Sequence, residues 1–391
     1  MDSQGELILE KERRLASSLV PQGQRLIRIL MAAGGTGGHI FPALAVADEM
    51  RRRSEISGAG APKYETVFLG SGRGLETRVI PRSGYRLETI QAAGLKGISG
   101  WNRARNAAKL PRSAFEAARL LYRLRPGVVV GIGGYISGPV MLEAALAGIP
   151  TLLYEPNAIP GFTNRVLSPF VRLAAVGFEQ ALRTYGSKGR LTGHPVRQEF
   201  YELPPKAHTS SLAVLVVGGS QGARALNQCI VESLPLLRSR AHGTLRFIHQ
   251  TGEADYNAVE VAYGNEWPGS EVCAFIDNIA EAFSQADLVI CRAGAATVAE
   301  LAAAGKASVL VPYPSATDQH QLHNARALEY AGGACVIEQK DLNPDRLVDE
   351  VMDLLGDTSK LEQMEQRARR LASPQAASRI ADLVEELCRE N

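Results

Sequence analysis

A strand, a glycine-rich loop and a helix occur in that order twice in this chain, over residues 26–48 and again over residues 212–234. The first copy runs through LIRILMAA (26–33) into Gly34-Gly35-Thr36-Gly37-Gly38-His39, the second through LAVLVVGG (212–219) into Gly218-Gly219-Ser220-Gln221-Gly222-Ala223. Such a unit buries an apolar strand and opens a helix at the strand's C-terminal end, which favours α/β layers over bundles or sandwiches. The restart implies two Rossmann-like domains, and 391 residues are enough for both. Further strands are expected at ETVFLG (65–70), GVVVGI (127–132), TLLYE (151–155), LRFIHQT (245–251), DLVIC (287–291) and ASVLVPY (307–313). Several are apolar on both faces, as buried parallel strands are.

The boundaries read as an N-terminal extension (1–24), a first domain (25–197), a linker (198–211), a second domain (212–371) and a C-terminal helix (372–391) that could pack back on the first domain. The linker QEFYELPPKAHTSS is rich in proline and polar residues. The extension is polar and charged, has no apolar core of a signal peptide, and is expected to be loosely helical. The apolar stretch 127–154 is broken by Gly131, Gly133, Gly134, Gly138, Pro139 and Pro150, whereas a spanning helix needs about 20 predominantly apolar residues.

The formal net charge of +2 gives no global pull on nucleic acid. Five scattered cysteines, none at metal-ligand spacing, argue against a disulfide framework and a zinc site. No Asp-x-Asp stands at a strand end, so no catalytic metal and no cofactor is assigned.

Glycines let the backbone turn sharply and approach a ligand closely, and the helix start that follows offers unpaired N–H groups to an anion. The first loop is not a Walker loop, because no Lys-Ser/Thr follows it, and no acidic residue stands about 20 positions on, as a dinucleotide fold needs. A plain strand–helix turn is the simpler reading of each loop; the matched pair favours ligand contact. A third glycine loop, Gly133 to Pro139, also follows a strand, pointing to one crevice at the strand ends. Asn157 ends the strand 151–155 and is either a sugar contact or a turn former. Arg197, in Thr192-Gly193-His194-Pro195-Val196-Arg197, is either a contact to a phosphate or the acceptor, or a surface arginine. Arg292 to Glu300 follows a strand and opens a helix; Glu300 there could accept both ribose hydroxyls or merely favour the helix start. Asp318-Gln319-His320-Gln321, with Asn324, gathers amide and imidazole groups suited to the hydroxyls of a sugar.

Eight segments occur in one order across residues 28–333: GGTGGHIFPALAVAD, GGYISGP, YEPNAIPGFTNR, TGHPVR, GGSQGARALN, FIDNI, CRAGAATVAEL and DQHQLHNA. Together they resemble the MurG family of bacterial N-acetylglucosaminyltransferases, in glycosyltransferase family 28. The resemblance implies the GT-B fold, two Rossmann-like domains with parallel sheets facing a central cleft. It implies inverting transfer of GlcNAc from UDP-GlcNAc to the 4-hydroxyl of undecaprenyl-pyrophosphoryl-MurNAc-pentapeptide, the lipid I to lipid II step of peptidoglycan synthesis. It places such an enzyme peripherally on the cytoplasmic face of the plasma membrane. It implies donor contacts at Thr36, Gly37, Gly38, Asn157 and Arg197, then at Ser220, Ile276, Ala295, Ala296, Thr297, Val298, Ala299, Glu300, His320 and Gln321, with His39 as the candidate general base. Glu300 would hold the ribose and Phe275 with Ile276 the uracil. His320 stands where some members carry glutamine.

A lipid acceptor requires membrane contact. Residues 96–125 hold Lys96, Arg103, Arg105, Lys109, Arg112, Arg119, Arg123 and Arg125 against Glu116, with Trp101, Leu110, Phe115, Leu120 and Leu121 interleaved. This basic amphipathic segment suits an anionic membrane surface, or else packs its apolar face on the core. Three rivals remain: a UDP-GlcNAc epimerase or other GT-B enzyme, a dinucleotide-dependent oxidoreductase, and a non-enzymatic membrane scaffold.

Overall fold

The structure is a computed structural model that describes residues 25–35, 37–58, 61–72, 74–90, 110–134, 136–209, 211–219, 222–241, 244–314, 316 and 319–390. Its strands are β1 (Leu26–Ala32), β2 (Lys63–Gly70), β3 (Arg86–Thr89), β4 (Val128–Gly131), β5 (Thr151–Glu155), β6 (Leu173–Val176), β7 (Gly189–Leu191), β8 (Ser211–Val217), β9 (Thr244–Gln250), β10 (Glu271–Cys273), β11 (Leu288–Cys291), β12 (Ser308–Leu310) and β13 (Ala334–Val336). The helices of the first part are α1 (Gly37–Ile56), α2 (Glu76–Arg82), α3 (Leu110–Leu124), α4 (Ser137–Leu146), α5 (Phe162–Leu167), α6 (Leu182–Tyr185) and α7 (Gln198–Tyr201). The second part carries α8 (Arg224–Arg240), α9 (Tyr256–Glu266), α10 (Ile279–Gln285), α11 (Ala295–Ala304), α12 (His320–Tyr330), α13 (Pro344–Leu355), α14 (Thr358–Arg370) and α15 (Ala376–Arg389).

The strands form two all-parallel sheets, ordered β3-β2-β1-β4-β5-β6-β7 and β10-β9-β8-β11-β12-β13. In both, the chain order reverses beside the first strand, between β1 and β4 and between β8 and β11. That point is where an open α/β sheet leaves a crevice at its strand C-terminal ends. The central strands are continuous apolar runs, and β4, β5, β6 and β11 are buried at every residue. Helices cover both faces, giving each sheet two apolar layers.

α15 lies on the first sheet: Ile380, Val384 and Leu387 join the core of β1, β4 and α1. Arg53 of α1 fastens it, reaching Asp382 at 2.8 Å and Glu385 at 3.2 Å. Residues 198–209 are not a free tether. Phe200 is fully buried and meets Phe283 edge-on at 5.4 Å. Lys206 and His208 both pair with the buried Asp287, His208 at 2.8 Å. The segment is therefore moored to the second sheet from Phe200 onward.

Candidate functional site

The loop after β1 passes through Gly34 and Gly35 into α1, whose first turn carries Gly37, Gly38 and His39. Two features hold it in place. Behind it, the fully buried Glu76 accepts the Gly35 N–H at 3.2 Å, together with the Ser71 N–H and hydroxyl. Beside it, the loop after β4 approaches so closely that a Cβ on Gly134 would lie 2.7 Å from the Gly34 carbonyl oxygen. A Cβ on Gly133 would lie 2.8–2.9 Å from Cδ2 and Nε2 of His39. Both glycines have positive φ, at +102° and +85°, so an L side chain is excluded on conformation as well as on space. Burial pushes the His39 imidazole below its ordinary pKa, with a hydrogen bond to the Gly34 backbone opposing the shift. The ring is thus neutral near pH 7 and available to take a proton.

At the end of β5, Glu155 is fully buried and its pKa is raised by that burial, against the hydrogen bonds it accepts. It takes the Asn157 N–H (2.9 Å), the Asn157 side-chain amide (3.0 Å), the Gly161 N–H (2.9 Å) and the Asn164 amide (2.8 Å). Asn157 is consequently fixed at the strand end. Tyr154 Oη lies 2.6 Å from Nδ1 of His194, whose pKa burial depresses to about 3, with His39 adding to the effect.

The loop after β8 is held differently. Gln250 at the end of β9 grips Gly219 from both sides: its Oε1 accepts the Gly219 N–H at 3.1 Å and its Nε2 donates to the Gly219 carbonyl at 3.0 Å. Gly222 has φ +73°, and a Cβ there would sit 2.3 Å from the Thr251 carbonyl oxygen. The loop after β11 gives Gly294 as the cap of α11, so the N–H groups of Ala295, Ala296 and Thr297 open the helix, with Val298 and Ala299 on its next positions. Glu300 lies further along α11, and burial raises its carboxyl to about 7 despite the Arg197 guanidinium 3.6 Å away. Arg197 also pairs with Glu199 at 2.9 Å and stacks over the Phe41 ring at 4.3 Å. Gln321 and His320 begin α12, and Gln321 Oε1 accepts the Ala293 N–H (3.2 Å) and the Tyr313 N–H (2.9 Å). Ile276 sits in the loop between β10 and α10, partly buried against the second sheet, with Phe275 exposed beside it.

The two sheets meet along these loops. Arg197 faces Glu300, Asn157 bonds Asn324, and Arg78 lies 3.7 Å from Asp277. An interdomain cavity of about 640 Å³ is lined by Ala158 and His194 on one side and Val298, Ala302 and His323 on the other, and by none of His39, Asn157, Arg197, Glu300 or Gln321. Those residues are joined by contacts outside that cavity: Arg197 links Phe41 of α1 to Glu300, and Asn157 bonds Asn324, one turn from Gln321 on α12. Thr36 and Ser220 lie outside the described residues, as do Asp318 and residues 91–109 with Trp101. Asn324, grouped by sequence with sugar-contacting amides, is fully buried and bridges the domains instead. Sequence reasoning passed over Glu76, Glu155 and Gln250. Their signal was a charged or amide residue beside a glycine loop or at the end of an apolar strand.

Two parallel Rossmann sheets with their loops facing across one cleft form the GT-B fold. Residues 29–176 match the glycosyltransferase family 28 N-terminal domain and residues 213–386 its C-terminal domain. The chain is 42% identical over 93% of its length, and 93% of the relative's, to the UDP-N-acetylglucosamine–N-acetylmuramyl-(pentapeptide) pyrophosphoryl-undecaprenol N-acetylglucosamine transferase of Myxococcus xanthus. It is 44% identical over 93% of its length to the protein of that name from an Anaeromyxobacter species, covering 94% of that relative. The crystal structure of Acinetobacter baumannii MurG superposes with a TM-score of 0.71 at 33% identity, covering 93% of this chain and 99% of that one. A UDP-GlcNAc 2-epimerase from Neisseria meningitidis shares the fold alone, with a TM-score of 0.63 at 11% identity over 92% of this chain and all of the other. The chain belongs to glycosyltransferase family 28.

Proposed function

We propose that this protein transfers GlcNAc from UDP-GlcNAc to the 4-hydroxyl of undecaprenyl-pyrophosphoryl-MurNAc-pentapeptide, with inversion at the anomeric carbon. The observation that carries the reading is the asymmetry of the two glycine loops. A carboxylate, Glu76, backs the first, and a neutral amide, Gln250, backs the second. A diphosphate is repelled by a buried carboxylate and tolerated by an amide. The donor's diphosphate therefore belongs with loop 218–223 and the start of α11, and the acceptor with His39. The 4-hydroxyl attacks the anomeric carbon, its proton passes to His39, and the bond from that carbon to the UDP oxygen breaks. Backbone N–H groups at Ala295–Thr297 and in loop 218–223, with the hydroxyl of Ser220, stabilise the charge on departing UDP. Glu300 accepts the ribose hydroxyls, while Asn157, His320 and Gln321 surround the sugar. Arg197, Gly37 and Gly38 contact the donor, a role the family resemblance also gives Thr36, and Ile276 borders the uracil. An assay for labelled GlcNAc moving from UDP-GlcNAc to a short-chain MurNAc-pyrophosphoryl lipid tests this. Product formation supports it; turnover of UDP-GlcNAc to an epimer without acceptor supports the rival reading.

The enzyme acts as a peripheral protein on the cytoplasmic face of the membrane. Among the described residues no helix is long and apolar enough to cross a membrane. α3 buries Leu120, Leu121 and Leu124 in the core, so those leucines are not membrane-facing. Phe115 and Tyr122, 69% and 74% exposed, stand with Arg119 and Arg123 on its outer side, a mixed aromatic and basic face suited to anionic lipid. The variant F115S/R119E/Y122S is expected to lose co-sedimentation with anionic vesicles; unchanged binding would contradict this role for α3.

A further inference from the structure

Asn324 is fully buried on α12, one turn after Gln321. Its Oδ1 accepts the Ala158 N–H at 3.2 Å, across the domain boundary. A backbone N–H only donates, so this contact fixes which end of the amide faces the loop. The NH2 group then points to Asn157 Oδ1 at 3.2 Å and to the Ala293 carbonyl at 3.5 Å. Asn157 is thereby oriented from two directions: Glu155 takes its NH2 group and Asn324 supplies a donor to its carbonyl. Gln321 and Asn324, one helical turn apart, also hold both polar groups of Ala293, the N–H and the carbonyl. Ala293 lies just after β11 and just before Gly294, the cap of α11. One buried amide therefore links the loop that opens the nucleotide-side helix to the loop that carries Asn157 on the other sheet.

We infer that Asn324 is a positioning residue that couples the meeting of the two domains to the placement of Asn157 against the donor sugar. It touches no substrate. Its catalytic consequence rests on the GlcNAc-transfer reading; its effect on donor binding does not depend on turnover.

The test is a double-mutant cycle of N324A and N157A, read by calorimetry with UDP-GlcNAc and with UDP, and by kcat and KM. UDP lacks the sugar, so N324A is expected to keep UDP affinity within threefold while kcat/KM for UDP-GlcNAc falls at least tenfold. In the N157A background, adding N324A should change UDP-GlcNAc affinity and kcat/KM by less than twofold further. The inference is overturned if the N324A effect is the same in both backgrounds, or if UDP affinity falls in parallel. N324D keeps the acceptor for Ala158 and loses the donor to Asn157, so it replaces N324A in the cycle if the alanine variant does not fold. If the wild type transfers no GlcNAc, the function reading fails, and the UDP-GlcNAc calorimetry still decides the role of Asn324.

Discussion

The two glycine loops begin alike in sequence and are held by different groups. The first runs into α1 at Gly37, with a histidine in the helix's first turn and a buried carboxylate behind the loop. In the second, α8 does not start until Arg224, and the loop is clasped by an amide that both donates and accepts. Equal backbone chemistry is thus backed by an acidic group in one loop and a neutral amide in the other. Glycine spacing marks where a ligand can approach, and the residue behind each loop is what distinguishes the two.

The comparison can be broken from either side. The largest expected effect is at His39: H39A should lower kcat by about 10²–10⁴-fold, the usual share of a positioned base, with UDP affinity within threefold. Parallel loss of UDP affinity in calorimetry would place the nucleotide at the first loop.

Next comes an exchange of the backing groups. Q250E puts a carboxylate behind the second loop and removes the donor to Gly219 and Ala274. UDP affinity should drop by about 10–100-fold, in line with leaving buried polar groups unpaired beside like charge. E76Q should leave UDP affinity within threefold and lower kcat instead. Thermal melts of both variants separate local effects from unfolding, and a larger UDP loss in E76Q than in Q250E would invert the assignment.

Glu300 gives a smaller, pH-dependent effect. Its carboxyl is raised to about 7 by burial, so it protonates as pH falls through that value. If the ionised form accepts the ribose hydroxyls, the dissociation constant for UDP should rise about tenfold per pH unit below 7. E300Q should flatten that dependence between pH 5.5 and 8; a wild-type profile already flat there would contradict the role.

The smallest effect concerns stability, and each domain contributes one group. His194 pairs with Tyr154 and His249 with Tyr263, and burial depresses both imidazoles to about 3. Their unfolded value is near 6.5, so the unfolded chain binds more protons below that pH. Each histidine's contribution is full above about pH 6.5 and is lost as pH falls towards 3, at about 1.4 kcal/mol per pH unit. Glu300, raised to about 7, works against them, because the folded chain keeps its proton where the unfolded chain has lost it. Denaturant unfolding of wild type and H194N between pH 6.5 and 5 should therefore differ in slope by about 1.4 kcal/mol per pH unit, and equal slopes would contradict a neutral buried His194.

Much of the fold was legible because the central strands are apolar on both faces, as Val128–Gly131 and Leu288–Cys291 are. The edge strands Arg86–Thr89, Gly189–Leu191, Glu271–Cys273 and Ala334–Val336 were not, since strands of three or four residues at a sheet edge carry no long apolar run; Leu173–Val176 was missed too, because its two alanines in four residues carry no β-branched signal although all four are buried. The anchors of the segment 198–209, Phe283 and Asp287, were not legible because they lie about 80 positions away. Of the candidate site, the position of the glycine loops at strand ends was legible. The groups that orient them were not, because Glu76 and Gln250 act through contacts that only the folded chain creates.

The division of labour between the loops is tested most directly by a crystal structure of the UDP-GlcNAc complex. The diphosphate should lie within hydrogen-bonding distance of backbone N–H groups in 218–223 or at Ala295–Thr297, with the ribose on Glu300. A diphosphate seated on Gly37–His39 at the start of α1 would contradict it.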